Sequence, residues 1–374
     1  MERRSLIVLR RVCVAVLLVC SLWSKRLTAA EELPKGWPKL PTENGVVEIP
    51  AQEWPVHPAP RHIKVYIHYP FGQLEHVTSN SGLMLTLHNW GGTAAVGSAD
   101  PKALTERFDV VSIAVDYLQS GKHEGLEAPE PYDFGYLQAL DSLRALWYIH
   151  QGLRANGTLF NAGRIYATGG SGGGQVALMC NKFAPRTFTC VIDMCGMCKL
   201  TDDVAYGIPG GSILNARWQR DPQNPSYLSG DGREIRFIGN PSHLATMKKL
   251  GHSAKIIVVH GKEDVTCPFA EAKEMVDAMK VAKLDVEPVF VTKNDIDGKI
   301  FTSADHPLGQ RTEIVFKVAE KYLRPGSSNF LERKTSSDFY RREEIRYETT
   351  NGKYSISYEN GYPIGRFESR KPAE

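Results

Sequence analysis

Ser171 stands at the centre of Ile165-Tyr-Ala-Thr-Gly-Gly-Ser-Gly-Gly-Gly174, an apolar stretch that ends in a Gly-x-Ser-x-Gly pattern. A serine in this setting sits on a strained turn between a strand and a helix, where its hydroxyl is presented for attack. The flanking glycines suit such a turn, because a Cβ there would crowd the backbone. Gln175-Val-Ala-Leu-Met-Cys180 then reads as the first turns of the helix. A serine hydroxyl is a weak nucleophile until a base takes its proton, and the base needs an orienting acid. Both residue types follow in the order Ser, Asp, His. Asp264 lies just past the apolar run 254–260, in His260-Gly-Lys-Glu-Asp264-Val-Thr-Cys-Pro268. His306 lies in a loop after a second run, 286–292, and before a helix at 310–322. The chemistry open to this trio is acyl transfer. Ser171 would be the nucleophile, His306 the general base and later acid, and Asp264 the group that orients His306 and stabilises its cation.

Acyl transfer also needs donors for the developing oxyanion. Residues 82–88 form a strand pattern running into His88-Asn89-Trp90-Gly91-Gly92. That is the place of the glycine-rich oxyanion loop in lipases and esterases. The backbone N–H of Trp90 or Gly91 would serve there, with the N–H of Gly172 as second donor.

These motifs resemble the α/β-hydrolase superfamily, most of all its prolyl-oligopeptidase-like and dienelactone-hydrolase-like branch. The segment His260-Gly261-x-x-Asp264-x-x-x-Pro268 matches that branch's acid motif. The resemblance covers residues 60–325. It implies an α/β fold with a mostly parallel central sheet and helices on both faces, and roles for Ser171, Asp264 and His306 as above. Two departures stand out. Glycine occupies both sides of Ser171, where many peptidases of the branch carry a bulkier residue before the serine. Asn89 and Trp90 stand where esterases often have glycines, which leaves open whether Trp90 or Gly91 donates.

Rival readings explain less. Gly172-x-Gly174-x-x-Ala177 is a loose dinucleotide fingerprint, with Asp193 where a ribose acid would sit. It accounts for neither the acid segment nor His306, and it does not follow the first strand of its unit. A phosphate-binding loop would need Gly-Lys-Ser/Thr after the glycines, which is missing. A purely structural glycine turn at Ser171 leaves the ordered acid and histidine as coincidence. No cofactor is called for, and no paired histidine and carboxylate spacing points to a metal.

The positioning elements read as alternating strands and helices. Strand patterns at 82–88 and 109–116, a helix at 136–152, the elbow strand and helix, and the later strand–helix pairs argue for a parallel sheet. All the proposed site residues then fall beyond the carboxyl ends of strands, where ligands bind in such sheets. With 374 residues, 42% of them hydrophobic, the chain can build one large core. Between 199 and 250 the strand pattern lapses into Gly, Pro and polar residues. This stretch reads as a cap-like insertion, with Trp218, Tyr206 and Arg217 as candidates for substrate contact. After a linker near residue 325, the patterns 343–348, 353–358 and 362–367 alternate apolar and polar residues around Asn351-Gly352 and Asn360-Gly361. Asn-Gly is a strong hairpin signal, so 330–374 is expected to form a small three-stranded β-meander.

The N-terminus has the pattern of an export signal over 1–30, with four arginines before an apolar run and a small-residue site near Ala30. An extended segment at 31–59 would lead into the catalytic domain, 60–325. The expected location is secreted or periplasmic, without stable membrane insertion once the signal is cleaved; an uncleaved anchor is the alternative. Net charge is +3, but residues 1–30 hold six basic residues and one acid, so the remainder has 39 basic and 41 acidic residues. No basic stripe argues for a nucleic-acid partner. Five cysteines fall outside the signal, and a buried, unreactive state fits them better than a redox or zinc role for Cys195-Gly-Met-Cys198. The expected function is an exported serine hydrolase acting on a small-molecule or glycan-linked carboxylic ester. A prolyl-oligopeptidase-like peptidase and a non-catalytic envelope-binding protein are the alternatives. An ester is favoured because the approach reads as open and no propeller domain is evident.

Overall fold

The computed structural model describes residues 32–370, and the expected export signal lies outside them. Eight strands form one sheet: β1 (Gly45–Pro50), β2 (His62–His68), β3 (Gly82–Leu87), β4 (Val110–Asp116), β5 (Ile165–Gly170), β6 (Cys190–Met194), β7 (Lys255–Gly261) and β8 (Val286–Val291). Their order is β1-β2-β4-β3-β5-β6-β7-β8. From β4 to β8 all neighbours are parallel, while β1 and β2 pair antiparallel at one edge. The parallel strands β3 to β7 are buried nearly throughout, hence their continuous apolar sequence. The segment 31–59, expected to be extended, contains β1. In β2, between β1 and β4, only Ile63, Val65 and Ile67 point inward, the period-two alternation of a half-buried antiparallel strand.

Helices cover both faces. They are α1 (Pro101–Phe108), α2 (Tyr136–Ala155), α3 (Gly172–Phe183), α4 (Asp202–Tyr206), α5 (Gly230–Arg236), α6 (Pro241–Lys249), α7 (Phe269–Val281), α8 (Arg311–Leu323) and α9 (Asp338–Arg341). One face packs Leu104 and Phe108 of α1 with Ile314, Val315 and Val318 of α8. The other carries α2, α3 and α7. Helix α1 starts where Asp100 Oδ1 accepts from Lys102 N at 2.8 Å and Pro101 takes the first position. No described helix is long and apolar enough to cross a membrane.

The insertion at 199–250 divides in two. Its first part, with α4, folds over Trp90 in a cluster with Tyr132, Met197, Val204, Ala216 and Leu228. Its second part joins the main core through Ile235, Ile238, Leu244 and Met247. Only the first part packs over Trp90 beside the elbow.

The C-terminal strands β9 (Glu344–Glu348), β10 (Gly352–Ser357) and β11 (Ile364–Ser369) form a separate antiparallel meander. The third strand begins two residues later than expected, because Pro363 has no N–H to donate to the ladder. This sheet packs on the end of α3. Tyr347 Oη donates to Lys182 O, and Tyr358 Oη donates to Phe183 O at 3.0 Å. Both carbonyls belong to the last turn of α3, which has no further helical residues to bond.

Candidate active site

Strand β5 ends at Gly170 and α3 begins at Gly172, leaving Ser171 alone at the turn with φ 55° and ψ −123°. This conformation is costly for a residue with a Cβ, so it persists only because its surroundings enforce it. Ser171 N donates to Met194 O at 2.8 Å, tying the turn to β6. Close approach explains the glycines: a Cβ on Gly169 would overlap Gly173 O, and one on Gly173 would overlap Leu87 O.

The three residues singled out by type and order meet. Ser171 Oγ lies 2.9 Å from His306 Nε2, and His306 Nδ1 lies 2.9 Å from Asp264 Oδ2. Asp264 follows β7 in a tight turn, where its Oδ1 accepts from Thr266 N and Cys267 N, each at 2.9 Å. Its Oδ2 is also 3.3 Å from His260 Nε2. Burial alone would raise the Asp264 carboxyl, but the hydrogen bonds from His260 and His306 outweigh it and hold it well below the ordinary carboxylate range. With a carboxylate facing Nδ1, that nitrogen carries the proton and Nε2 is free to accept from Ser171. The His306 loop is fixed from α8, where Arg311 Nη2 donates to His306 O at 2.9 Å.

Neighbouring Glu263 points away, in an ion pair with Lys293 at 2.8 Å. The other two histidines in reach by sequence are elsewhere. His88 is buried, with Nδ1 2.7 Å from Asn89 O and Nε2 2.6 Å from Ser120 Oγ. His260 lies behind Asp264. Asp193 is buried in the core, with Oδ1 accepting from Gly196 N at 2.9 Å, so it offers no ribose contact.

The two oxyanion candidates separate. A Cβ on Gly172 would lie 2.9 Å from Trp90 N, so the N–H-bearing nitrogens of Trp90 and Gly172 are close neighbours at the elbow. Gly91 instead packs against Leu126 and Gly125. The Trp90 ring is held by stacking on Tyr132, centroids 4.0 Å apart, and by donation from its Nε1 to Gly125 O at 2.8 Å.

The three cap residues brace rather than reach for Ser171. Arg217 donates to Glu130 O and Gly125 O at 3.0 Å and to Leu126 O at 3.2 Å, which stitches the cap to the loop at 120–133. Trp218 Nε1 donates to Tyr132 O at 3.0 Å. Tyr206 accepts from Arg233 at 3.0 Å and lies under Arg220. Their polar groups are thus already engaged within the protein. Trp218 also lines a cleft of about 740 Å³ with Trp54, Tyr227 and Phe367, and none of Ser171, Asp264 and His306 belongs to it. All five described cysteines are buried and free, Cys195 and Cys198 included. The contributions that sequence reasoning missed are His260 at the carboxylate and Arg311 at the histidine loop. The only prior signal was the position of His260 at the head of the acid motif.

Sheet order and elbow give the chain a prolyl-oligopeptidase-like α/β-hydrolase fold. The chain belongs to the family described as "Protein of unknown function (DUF2920)", whose model matches residues 128–361, more than half its length. Its sequence matches none of the curated proteins. Among solved structures it is similar to an acylaminoacyl peptidase from Pyrococcus horikoshii, at 15% identity and a TM-score of 0.52, over 77% of this chain and 43% of that one. An acylaminoacyl peptidase in complex with Z-Gly-Gly-Phe-chloromethyl ketone gives a TM-score of 0.53 at 15% identity, with 77% and 43% covered. The chain therefore spans less than half the length of these peptidases, and at that identity the likeness establishes the fold.

Proposed function

We propose that the protein is a serine hydrolase that cleaves a carboxylic ester through an acyl-enzyme. The observation that carries this reading is the unbroken line from Ser171 Oγ through His306 to Asp264, with 2.9 Å at both steps. Ser171 Oγ attacks the carbonyl carbon while His306 Nε2 takes its proton. The tetrahedral oxyanion is met by the N–H groups of Gly172 and Trp90. His306 then passes the proton to the departing alkoxide, which leaves Ser171 acylated. A water, deprotonated by the same nitrogen, attacks the acyl carbon and releases the acid and the serine.

An ester with an apolar acyl group is favoured by the loops beside the elbow. Leu126, which touches Gly91, is 47% exposed, and Val265, next to Asp264, is 71% exposed. Ile213 is 86% exposed, and its neighbour Ser212 donates to Thr266 O at 2.8 Å. These aliphatic side chains lie on segments next to site residues, and His306 is still 20% exposed at the side chain, open enough for a small ester. Export of the protein through residues 1–30 is part of the same proposal.

A fluorophosphonate probe should label the protein at Ser171, located by peptide mass, and the protein should turn over p-nitrophenyl acyl esters faster than aminoacyl amides. Labelling with amides as the better substrates would move the reading to a peptidase. No labelling and no turnover would leave a non-catalytic protein.

A further inference from the structure

Outside the Ser171 site, helix α2 carries a buried histidine that bonds to nothing. His150 is 1% exposed, and neither Nδ1 nor Nε2 has a hydrogen-bond partner among the described residues. A neutral imidazole has one N–H to donate and one lone pair to accept with. Buried polar groups are nearly always paired, so a ring with both nitrogens bare calls for a reason. Aromatic rings stand around it at steep angles: Phe160, Phe339 and Tyr340, with centroids 5.3, 5.5 and 5.0 Å away. His150 also borders a cavity of about 170 Å³ between α2 and α9, walled by Trp147, Arg154, Phe339, Tyr340 and Arg342. Ser171, Asp264 and His306 do not line it.

The cavity is cationic. Arg154, in the last turn of α2, is half-buried, and its guanidinium lies 4.5 Å from the centre of the Tyr340 ring. It has no hydrogen-bond acceptor or ion-pair partner among the described residues. Arg342, directly after α9, brings a second guanidinium to the wall. No Asp or Glu is among the described residues that line the cavity. Asp338 of α9 is already taken by Arg186 and Thr187. A wider hollow of about 440 Å³ shares Trp147, Gln151 and Arg342 with the cavity and gives a way in from solvent; exposed Glu32 borders only that hollow. Burial, helped by the charges of Arg154 and Arg333, keeps the His150 ring neutral, so one of its nitrogens is a donor.

We propose that this cavity binds a small oxyanion, a phosphate or a carboxylate, with Arg154 taking two of its oxygens in a fork and one nitrogen of His150 donating to it. A planar guanidinium matches the paired oxygens of either head group. The binding gives the bare imidazole its partner and Arg154 its counter-charge. It is independent of the reading of Ser171 as nucleophile. Because the walls come from α2 and from α9, which leads into the meander, the bound anion fastens that segment to the main domain.

Inorganic phosphate and acetate are the probes, each set against sodium chloride at matched ionic strength and near-neutral pH. The thermal midpoint of the full chain should rise along a saturating curve with phosphate or acetate and stay level with chloride, because a ligand that binds only the folded state stabilises it. Either response supports the site, and the better probe names the head group. Calorimetric titration with that probe should give one site per chain. Arg154→Gln should weaken it by about tenfold or more, since the charged fork is lost. His150→Phe should weaken it too, and without the anion should be no less stable than the native protein, because two bare nitrogens are gone. Arg154→Gln carries the test should His150→Phe fail to fold. An equal response to all three salts, no response to any, or undiminished binding by folded Arg154→Gln overturns the proposal.

Discussion

Two carboxylates stand side by side at Glu263 and Asp264, and the turn after β7 sends them opposite ways. Only Asp264 faces His306, while Glu263 sits in a surface pair with Lys293. Asp264→Asn should lower kcat by about 10⁴, the scale found when a triad histidine is left in the wrong tautomer. Glu263→Gln should stay within about twofold, since exposed pairs of this kind contribute little. Steady-state kinetics on the best ester checks both, and the reverse ranking would move the acid by one residue. Ser171→Ala and His306→Ala should each abolish turnover, and the double variant should be scarcely worse, because such residues act as a unit. At this scale the sequence was informative. The elbow glycines, the His-Gly-x-x-Asp spacing and the chain order led to residues that the fold brings within hydrogen-bond reach. What stayed hidden was everything set by how a loop curls back. That His260 shares Asp264 depends on the turn at 264–267, and that Trp90 rather than Gly91 lies beside Gly172 depends on the packing of Leu126.

Helix α3 starts at the elbow and ends under the meander. Tyr347 and Tyr358 cap its final carbonyls, and Arg186 just beyond them is bound to buried Asp338 at 2.6 Å. Tyr358→Phe removes a buried donor and leaves Phe183 O without it, at a cost of about 1–3 kcal/mol. Tyr347→Phe should do the same at Lys182 O. Chemical denaturation should show both losses, with the slope against denaturant unchanged. Stability equal to the native protein would mean that the meander merely rests on the core. The meander itself was legible, because Asn-Gly pairs between alternating strands report local geometry. Its docking site was not, since nothing local in Tyr347 or Tyr358 names a partner some 170 residues away. Helix α1 and strand β2 show the opposite case. Asp100-Pro101 is a helix start, and Ile63, Val65 and Ile67 alternate as a half-buried strand should. Neither is a long apolar run, and long apolar runs were what located the central strands.

Across the whole molecule, acid should act through buried histidines. Burial lowers His88 and His252 to about 4, and His150 and His243 to about 3, from an ordinary 6.5. Their folded-state values lie below the unfolded one. The stability they support is therefore intact above about 6.5 and drains away as pH falls toward the folded values. By pH 5 each would cost about 2 kcal/mol. His260 works the other way, because its carboxylate neighbours outweigh burial. So do Asp193 and Glu271, which burial raises to about 6 and about 7, but the four histidines together outweigh them. The thermal midpoint should thus hold between pH 7 and 8 and fall steadily from 6.5 to 5, before most carboxylates titrate. A flat profile across that window would mean that these rings reach water. The alternation of strands and helices foretold the parallel sheet with covered faces. It did not foretell that the insertion at 199–250 would divide between cap and core, because composition alone does not say which polar stretch turns inward.

The caps on α3 also have a meaning in time. Phe183 and Tyr358 are separated by 175 residues of chain. At about 5–20 residues per second, a ribosome takes roughly 10–35 seconds to travel that distance. Through that interval the elbow helix exists with its last carbonyls open and the apolar ground beneath the meander bare. The nascent protein can shape its nucleophile turn early, yet it cannot close the helix behind that turn until the meander has been translated. A chain stalled or cut in its final stretch would keep the entire sheet and still present an unfinished, adhesive face, the kind of surface that chaperones hold and proteases find.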